Sequence, residues 1–202
     1  MNEIVPSRKN PAQTRERLLG AAFAEIYTQG FQGSDLNGIL AEAGVTKGAL
    51  YHHFGSKHEL GCAVVEEVVA GIMRDKWLAP LDDIDDPIET LIAVVDGTSF
   101  LDQHVAGGCP LNNLAQEMSN IDDDFRTRLS AIFQGWIDGV ADALRLGKAN
   151  GKVRRDVDPR QAATFLVATY EGYTSLAKNA QDARLLQSGV QQMRQYLLSL
   201  RP

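Results

Sequence analysis

The chain is poor in cysteine, in long apolar runs and in net positive charge. Cysteine occurs twice, at Cys62 and Cys109, a spacing that fits no zinc-ligand pattern and too few residues for a disulfide scaffold. No metal, no cofactor and a reducing, cytoplasmic setting are therefore expected. The opening MNEIVPSRKNPAQ has no apolar core of a signal peptide. The most apolar helix-like stretch, GCAVVEEVVAGIM, is interrupted by Glu66 and Glu67 and falls short of the roughly 18 to 20 apolar residues that span a bilayer. No membrane partner is expected. Internal repeats, low-complexity segments and glycine-rich phosphate loops are also missing. The 20 Lys and Arg are outnumbered by 26 Asp and Glu, and a net charge of −6 argues at first against binding nucleic acid, because phosphates demand surface cations.

The distribution of charge changes that reading. Residues 1–58 hold six basic side chains against five acidic ones, net +1, and the remainder holds 14 against 21, net −7. A slightly basic head on an acidic body fits one end that faces DNA. At 202 residues and 44% hydrophobic, the chain has material for a small head and a larger body. Helical periodicity and helix caps recur, whereas strand-like alternation does not, so the fold class is all-α with about nine helices. The first runs from Thr14 to a stop at Gly30, the second from a cap at Ser34 to about Ala43, and the third, KGALYHHF, from a cap at Thr46. Ser56 with Glu59 forms a capping box for a fourth helix reaching about Leu78. Asp86-Pro87 opens a fifth, to about His104, and Cys109-Pro110 a sixth, to about Met118. Asp122 starts the seventh, stopped at Asn150-Gly151, Asp158-Pro159 the eighth, and Asp182 the ninth, to Leu200. The expected division is a flexible tail over 1–13, a three-helix helix-turn-helix domain over 14–60, and a helical-bundle body over 61–202.

The unit SDLNGILAEAGVTKGALYHHF has the form of a helix-turn-helix, with Gly44 at the turn and Val45 and Leu50 packing the two helices together. Together with TRERLLGAAFAEIYTQGF before it, GVTKGALYHHFGSKHEL resembles the TetR family of repressors over about residues 14–60. The resemblance implies a recognition helix at about 46–52, with Thr46, Lys47, Gly48 and Ala49 at its amino end beside the bases. It places Tyr51, His52, Lys57 and Ser34 at positions that hold phosphates, in keeping with the chemistry of hydroxyls, cations and helix-start amides. To the body over 61–202 it assigns effector binding and dimerisation. On the residues alone, Ser34 and Thr46 read equally as caps, Tyr51 as packing and Lys57 as a surface charge. Gly38 inside the second helix and Leu40, where the family often has alanine, depart from the pattern.

In the body, the eighth and ninth helices carry Phe165, Leu166, Thr169, Tyr170, Tyr173, Leu186, Val190, Met193, Leu197 and Leu200. By resemblance they pair with the same helices of a second copy, with Gly172 permitting close contact; the alternative is packing within one chain. Trp77, Phe100, His104, Cys109, Asn112, Asn113, Met118, Phe133, Trp136 and Tyr173 mix aromatic and polar character, as a small-molecule pocket requires, though such a stripe also reads as core. GGCPLNNLAQEMS resembles a stretch in a subset of TetR-like proteins, some of which sense electrophiles or oxidants through a cysteine at this place. The helix start favours thiolate at Cys109; the other reading is an inert small hydrophobe. Two competing functions exist: an enzyme using Cys109 and His104 as nucleophile and base, which lacks a third orienting group, and a helical adaptor without DNA binding, which the intact KGALYHHF opposes. The expected function is a TetR-type regulator, a repressor without enzymatic activity. It would bind a pseudo-palindromic double-stranded DNA operator as a homodimer and be released by a small-molecule effector.

Overall fold

The computed structural model describes residues 11–82, 84–98 and 102–202, the side chains of 102–104 excepted. Among the described residues every regular element is helical. The chain forms two compact units, one up to Val68 and the other Val69–Pro202.

The first unit contains α1 (Pro11–Gly33), α2 (Leu36–Ala43), α3 (Lys47–His53) and α4 (Lys57–Ala63), followed by a wide π-helical stretch at Val64–Val69. Leu18, Ala22, Leu50 and Leu60, fully buried, and Ile39 beside them form its centre. α1 begins three residues before the expected Thr14, so 11–13 are helix rather than tail; residues 1–10 lie outside those described. Gly30 breaks α1 with a φ of 77°, and one more helical turn follows it. The cap of α2 is Asp35, not Ser34. The Asp35 carboxylate accepts from the amides of Asn37 at 3.1 Å and Gly38 at 3.0 Å, and Glu25 of α1 accepts the Asp35 amide at 3.0 Å. Both residues are good caps; the longer carboxylate reaches both orphan amides. At α4 the Ser56 hydroxyl accepts the Glu59 amide at 3.0 Å, while the Glu59 carboxylate takes the Gly55 amide at 2.8 Å, a capping box displaced by one residue.

The second unit opens with α5 (Ala70–Met73), a π-helical turn Arg74–Leu78 and a 3-10 turn Ala79–Leu81. It continues with α6 (Pro87–Asp96), α7 (Asp102–Gly107), α8 (Pro110–Met118), α9 (Asp123–Ala149), α10 (Pro159–Ala180) and α11 (Ala183–Ser199). The single helix expected from Asp86 to about His104 is thus two: α6 ends at Gly97, whose ψ near 0° leaves the helical path. Asp86, Asp122, Asp158 and Asp182 each cap the helix they precede. α10 lies between α9 and α11. Its approach to α11 is close because Gly189 has no side chain: a Cβ there would stand 2.3 Å from Cγ of Tyr173. Trp136, Phe125, Leu129, Leu144 and Met193 fill the interior. Among the described residues no helix is long and apolar enough to cross a membrane.

Candidate nucleic-acid interface and effector core

The turn between α2 and α3 is built on Gly44, at φ 60° and ψ 40°. This left-handed conformation costs little only for glycine. The Gly44 amide donates to the Ala41 carbonyl and that of Val45 to the Leu40 carbonyl, both at 3.1 Å, which closes the end of α2. Arg17 of α1 completes the closure: its guanidinium donates to the Ala43 carbonyl and, at 3.1 Å, to that of Gly44. A cation thereby sits on the negative end of α2. Sequence reading missed Arg17, because the position of its partner depends on the angle between α1 and α2.

Thr46 caps α3, its hydroxyl accepting the Ala49 amide at 3.2 Å. Leu50 is fully buried and anchors the inner face. The opposite face exposes Thr46, Lys47, Gly48, Tyr51 and His52, with Ala49 half-buried. Tyr51 is 46% exposed, and Lys47 Nζ lies 5.9 Å from its ring centre. Two of the residues expected at phosphates also have partners within the chain. Ser34 is buried, and its hydroxyl donates to the Phe31 carbonyl at 2.7 Å. Lys57 is half-buried and donates to the Ser34 carbonyl at 2.7 Å, with its ammonium 5.1 Å from the Phe31 ring centre. Both side chains hold the turn between α1 and α2. Arg15 forms a two-point pair with Glu67 at 2.5 Å and covers the Phe54 ring at 5.0 Å. Hydrogen bonding to Arg15 holds the Glu67 carboxyl below its ordinary range, and the same bond raises the Arg15 guanidinium.

In the second unit Trp77 and Trp136, both expected in the pocket, are buried with ring centres 4.6 Å apart. Tyr170, expected at the dimer surface, is instead their third partner, edge-on to Trp77 at 4.7 Å and to Trp136 at 5.8 Å. Beside them lies a polar group absent from the expected set. Lys76 Nζ donates to the Tyr170 hydroxyl at 2.5 Å and stands 4.6 Å from the Tyr170 ring centre and 5.3 Å from that of Trp77. Burial pulls the Lys76 ammonium below its usual range, partly opposed by Cys109 and Glu171. Glu171 is buried, and among the described residues neither carboxylate oxygen receives a hydrogen bond of ordinary geometry. Burial pushes its carboxyl up to about 7, against the pull of the adjoining Cys109 thiol and the Lys76 charge. Thr174 Oγ1 and both indole nitrogens are also buried without hydrogen-bond partners among the described residues. Glu171 was readable as a charge on the inward stripe Ala163, Val167, Thr174 and Ala177 of α10.

Cys109 caps α8 but is buried, and burial, followed by the nearby Glu171 charge, pushes its thiol up. Expected thiolate character is therefore contradicted: desolvation and a neighbouring carboxylate outweigh the amides of Leu111 and Asn112. Asn113 is a bracket, donating to the Gly107 carbonyl at 2.8 Å and accepting Lys178 Nζ at 2.9 Å. Tyr173 packs on Gly189 and the Val105, Ala177 and Leu186 cluster, not on the tryptophans. Phe133 is half-buried on α9. Phe100 and the side chain of His104 lie outside the described residues. Trp77, Trp136, Leu91, Val95, Val140, Leu166, Val167, Met193 and Leu197 enclose an apolar cavity of about 10 Å³, roughly enough for one water.

The expected dimer set is also redistributed. Leu186, Val190, Met193 and Leu197 are buried in the chain's own core, as are Tyr170, Leu166 and Leu200. Phe165, 50% exposed, and the half-buried Thr169 and Tyr173 remain near the surface. Apolar periodicity locates a stripe on a helix but not whether its cover belongs to the same chain.

A helix-turn-helix on a small helical unit, followed by a larger helical unit with an aromatic core, defines the class of one-chain DNA-binding regulators. Comparison with known proteins makes this specific. The family model for bacterial regulatory proteins of the tetR family matches residues 18–64, and that for the tetracyclin repressor-like C-terminal domain matches residues 87–193. The chain is 29% identical to the HTH-type transcriptional repressor DhaR of Mycobacterium sp. (strain GP1), covering 78% of this chain and 79% of that one. It is 30% identical to an HTH-type transcriptional regulator in the lacX 3' region of Lactococcus lactis, covering 89% and 90%. A crystal structure of a TetR regulator from Chloroflexus aurantiacus superimposes with a TM-score of 0.82 at 28% identity, over 93% of this chain and 96% of that one. The chain belongs to the TetR family of transcriptional regulators, which bind operator DNA as dimers and respond to small-molecule ligands.

Proposed function

We propose that the chain is a cytoplasmic repressor that reads a pseudo-palindromic operator through the exposed face of α3 and acts by binding alone. The observation that carries this reading is Gly48. It is exposed, and a Cβ there would meet nothing nearer than Thr46 Oγ1 at 3.9 Å. Internal packing therefore does not call for glycine, which costs about 1 kcal/mol in a helix; close approach of a second molecule to the α3 backbone does. Lys47 and Tyr51 flank it as cation and hydroxyl donors, with Thr46 and His52 beside them and Ala49 between, all suited to phosphate and base edges. Ser34 and Lys57 support the turn that aims α3. The units correspond to a reading domain and an effector-binding and dimerising domain.

A dimer would bring two such helices onto successive half-sites. The outward face of α10 supports this, with Phe165, Ala168, Gly172 and Leu176 at helical spacing and all exposed. No role as an enzyme is proposed: Cys109 is buried with its thiol pushed up, the reverse of an activated nucleophile. The effector is proposed to enter the core around Trp77 and Trp136, whose indole nitrogens have no hydrogen-bond partner among the described residues, and to release the DNA by favouring another arrangement of the body.

The test is a mobility-shift assay on the DNA upstream of the gene. Lys47→Ala with Tyr51→Ala is expected to weaken operator binding by roughly tenfold or more and to reduce its salt dependence by about one to two phosphate contacts. Gly48→Leu is expected to keep the fold and raise the stability of the head by up to about 1 kcal/mol, while abolishing the shift. Unaltered operator affinity in both proteins would sink the reading.

A further inference from the structure

We infer that the aromatic core of the second unit is a cage for an organic ammonium ion, at present filled by the protein's own Lys76. This rests on the reading of that unit as the effector-binding part and names the chemistry of the effector. Two surfaces meet the Lys76 ammonium, the Trp77 ring and the Tyr170 ring with its hydroxyl, and the buried Glu171 carboxylate lies near enough for its charge to act on it. Rings and carboxylate both attract a cation, and desolvation strengthens the attraction. Lys76 reaches the site from a partly buried position at the edge of the core, so its flexible stem can withdraw to water without unpicking the fold. Glu171 would then be left, among the described residues, with the Cys109 thiol as its neighbour and no hydrogen bond of ordinary geometry to either oxygen. A buried carboxylate with only a weak thiol donor beside it is a larger deficit than an indole N–H lacking an acceptor, which favours a donor cation over an anion.

The rest of the ligand follows from the walls. Trp77 is shared between the cage and the apolar cavity bounded by Trp136, Leu91, Val95 and Met193. That cavity is too small for a ligand body by itself, but withdrawal of Lys76 would add the volume of its four-methylene stem. The fitting ligand is a slim alkylammonium whose chain takes the stem's place and continues between the tryptophans.

Both tryptophans of the chain stand at this site, so their fluorescence reports on it directly. The full-length protein is titrated at pH 8, where Glu171 is mostly ionised, with n-hexylammonium, hexan-1-ol and hexanoate, which share a chain and differ in the charge of the head. Saturable change with n-hexylammonium is expected, about tenfold tighter than with the other two. Lys76→Ala, which removes the resident ammonium, is expected to tighten the cation about tenfold or more, and Glu171→Gln to weaken it by a similar factor without altering hexan-1-ol. Should either variant fail to fold, the order of the three probes on the natural protein still decides. Equal binding of all three, tighter hexanoate, or hexanoate binding lost in Lys76→Ala would overturn the cage. Operator retention measured in the same samples separates the two readings. Cation binding without DNA release leaves the cage standing and removes the effector role, whereas release by hexanoate alone leaves the effector role and removes the cage.

Discussion

Gly44→Val is expected to disable the DNA-reading unit rather than trim its affinity. The backbone there is left-handed at φ 60°, which costs an L-residue about 1–2 kcal/mol and a β-branched one more. A Cβ would also stand 2.7 Å from Nη2 of Arg17. The guanidinium can move away, but the Ala43 and Gly44 carbonyls then lose it, at about 1 kcal/mol for each hydrogen bond. Together the change is worth roughly 2–4 kcal/mol, a large part of the stability of a domain this small. Trp77 and Trp136 are both in the second unit, so tryptophan emission and far-UV circular dichroism separate the two units during unfolding. An early loss of helix signal without a change in tryptophan emission is expected, together with loss of operator binding. Coincident, unshifted transitions would show that neither the turn nor the Arg17 clamp matters to this degree. Gly44→Asn should be milder in backbone cost, because asparagine tolerates left-handed φ, and it still displaces Arg17.

How far the sequence could be read follows from the range of the interactions involved. Caps and stops are local, so Thr46, Ser56, Asp86, Asp122, Asp158 and Asp182 were legible, as was the helix-turn-helix around Gly44. Ser34 against Asp35 is the exception within that class, where two adjacent caps compete and geometry selects the longer acceptor. The π-helical stretches at Val64–Val69 and Arg74–Leu78 leave little trace in an apolar period, though the first falls on a run of valines, which crowd a helical turn. Long-range pairs were hidden. Arg17 with the α2 carbonyls, Lys57 with the Ser34 carbonyl, and Lys76 with Tyr170 join residues 26, 23 and 94 positions apart. Placement of Trp77 and Trp136 in one core followed from residue type, while the division of α10 and α11 between core and surface needed the packing angle. Cys109 shows the same limit: its helix-start position is local and favours thiolate, but burial and Glu171 reverse it.

Glu171 has the second large expected effect, and its sign is fixed by burial. The carboxyl is raised from its ordinary 4.5 to about 7 in the folded protein. Between those values the folded state keeps a proton that the unfolded state has released, so stability falls as pH rises from about 4.5 to 7 and levels off above. The rise corresponds to roughly 3 kcal/mol. Lys76 acts in the opposite sense at higher pH: its ammonium is pulled down by burial, so stability recovers as pH climbs from that lowered value toward 10.5. Glu171→Gln keeps the shape and removes the titration. The variant should lose the decline between pH 5 and 7 and exceed the natural protein at pH 8 by most of that 3 kcal/mol, as read from urea unfolding followed by tryptophan emission. Lys76 loses its carboxylate neighbour in this variant, yet from its partly buried position the flexible stem lets the ammonium turn to water. The same pH slope in both proteins would mean that Glu171 is not the buried acid of this core.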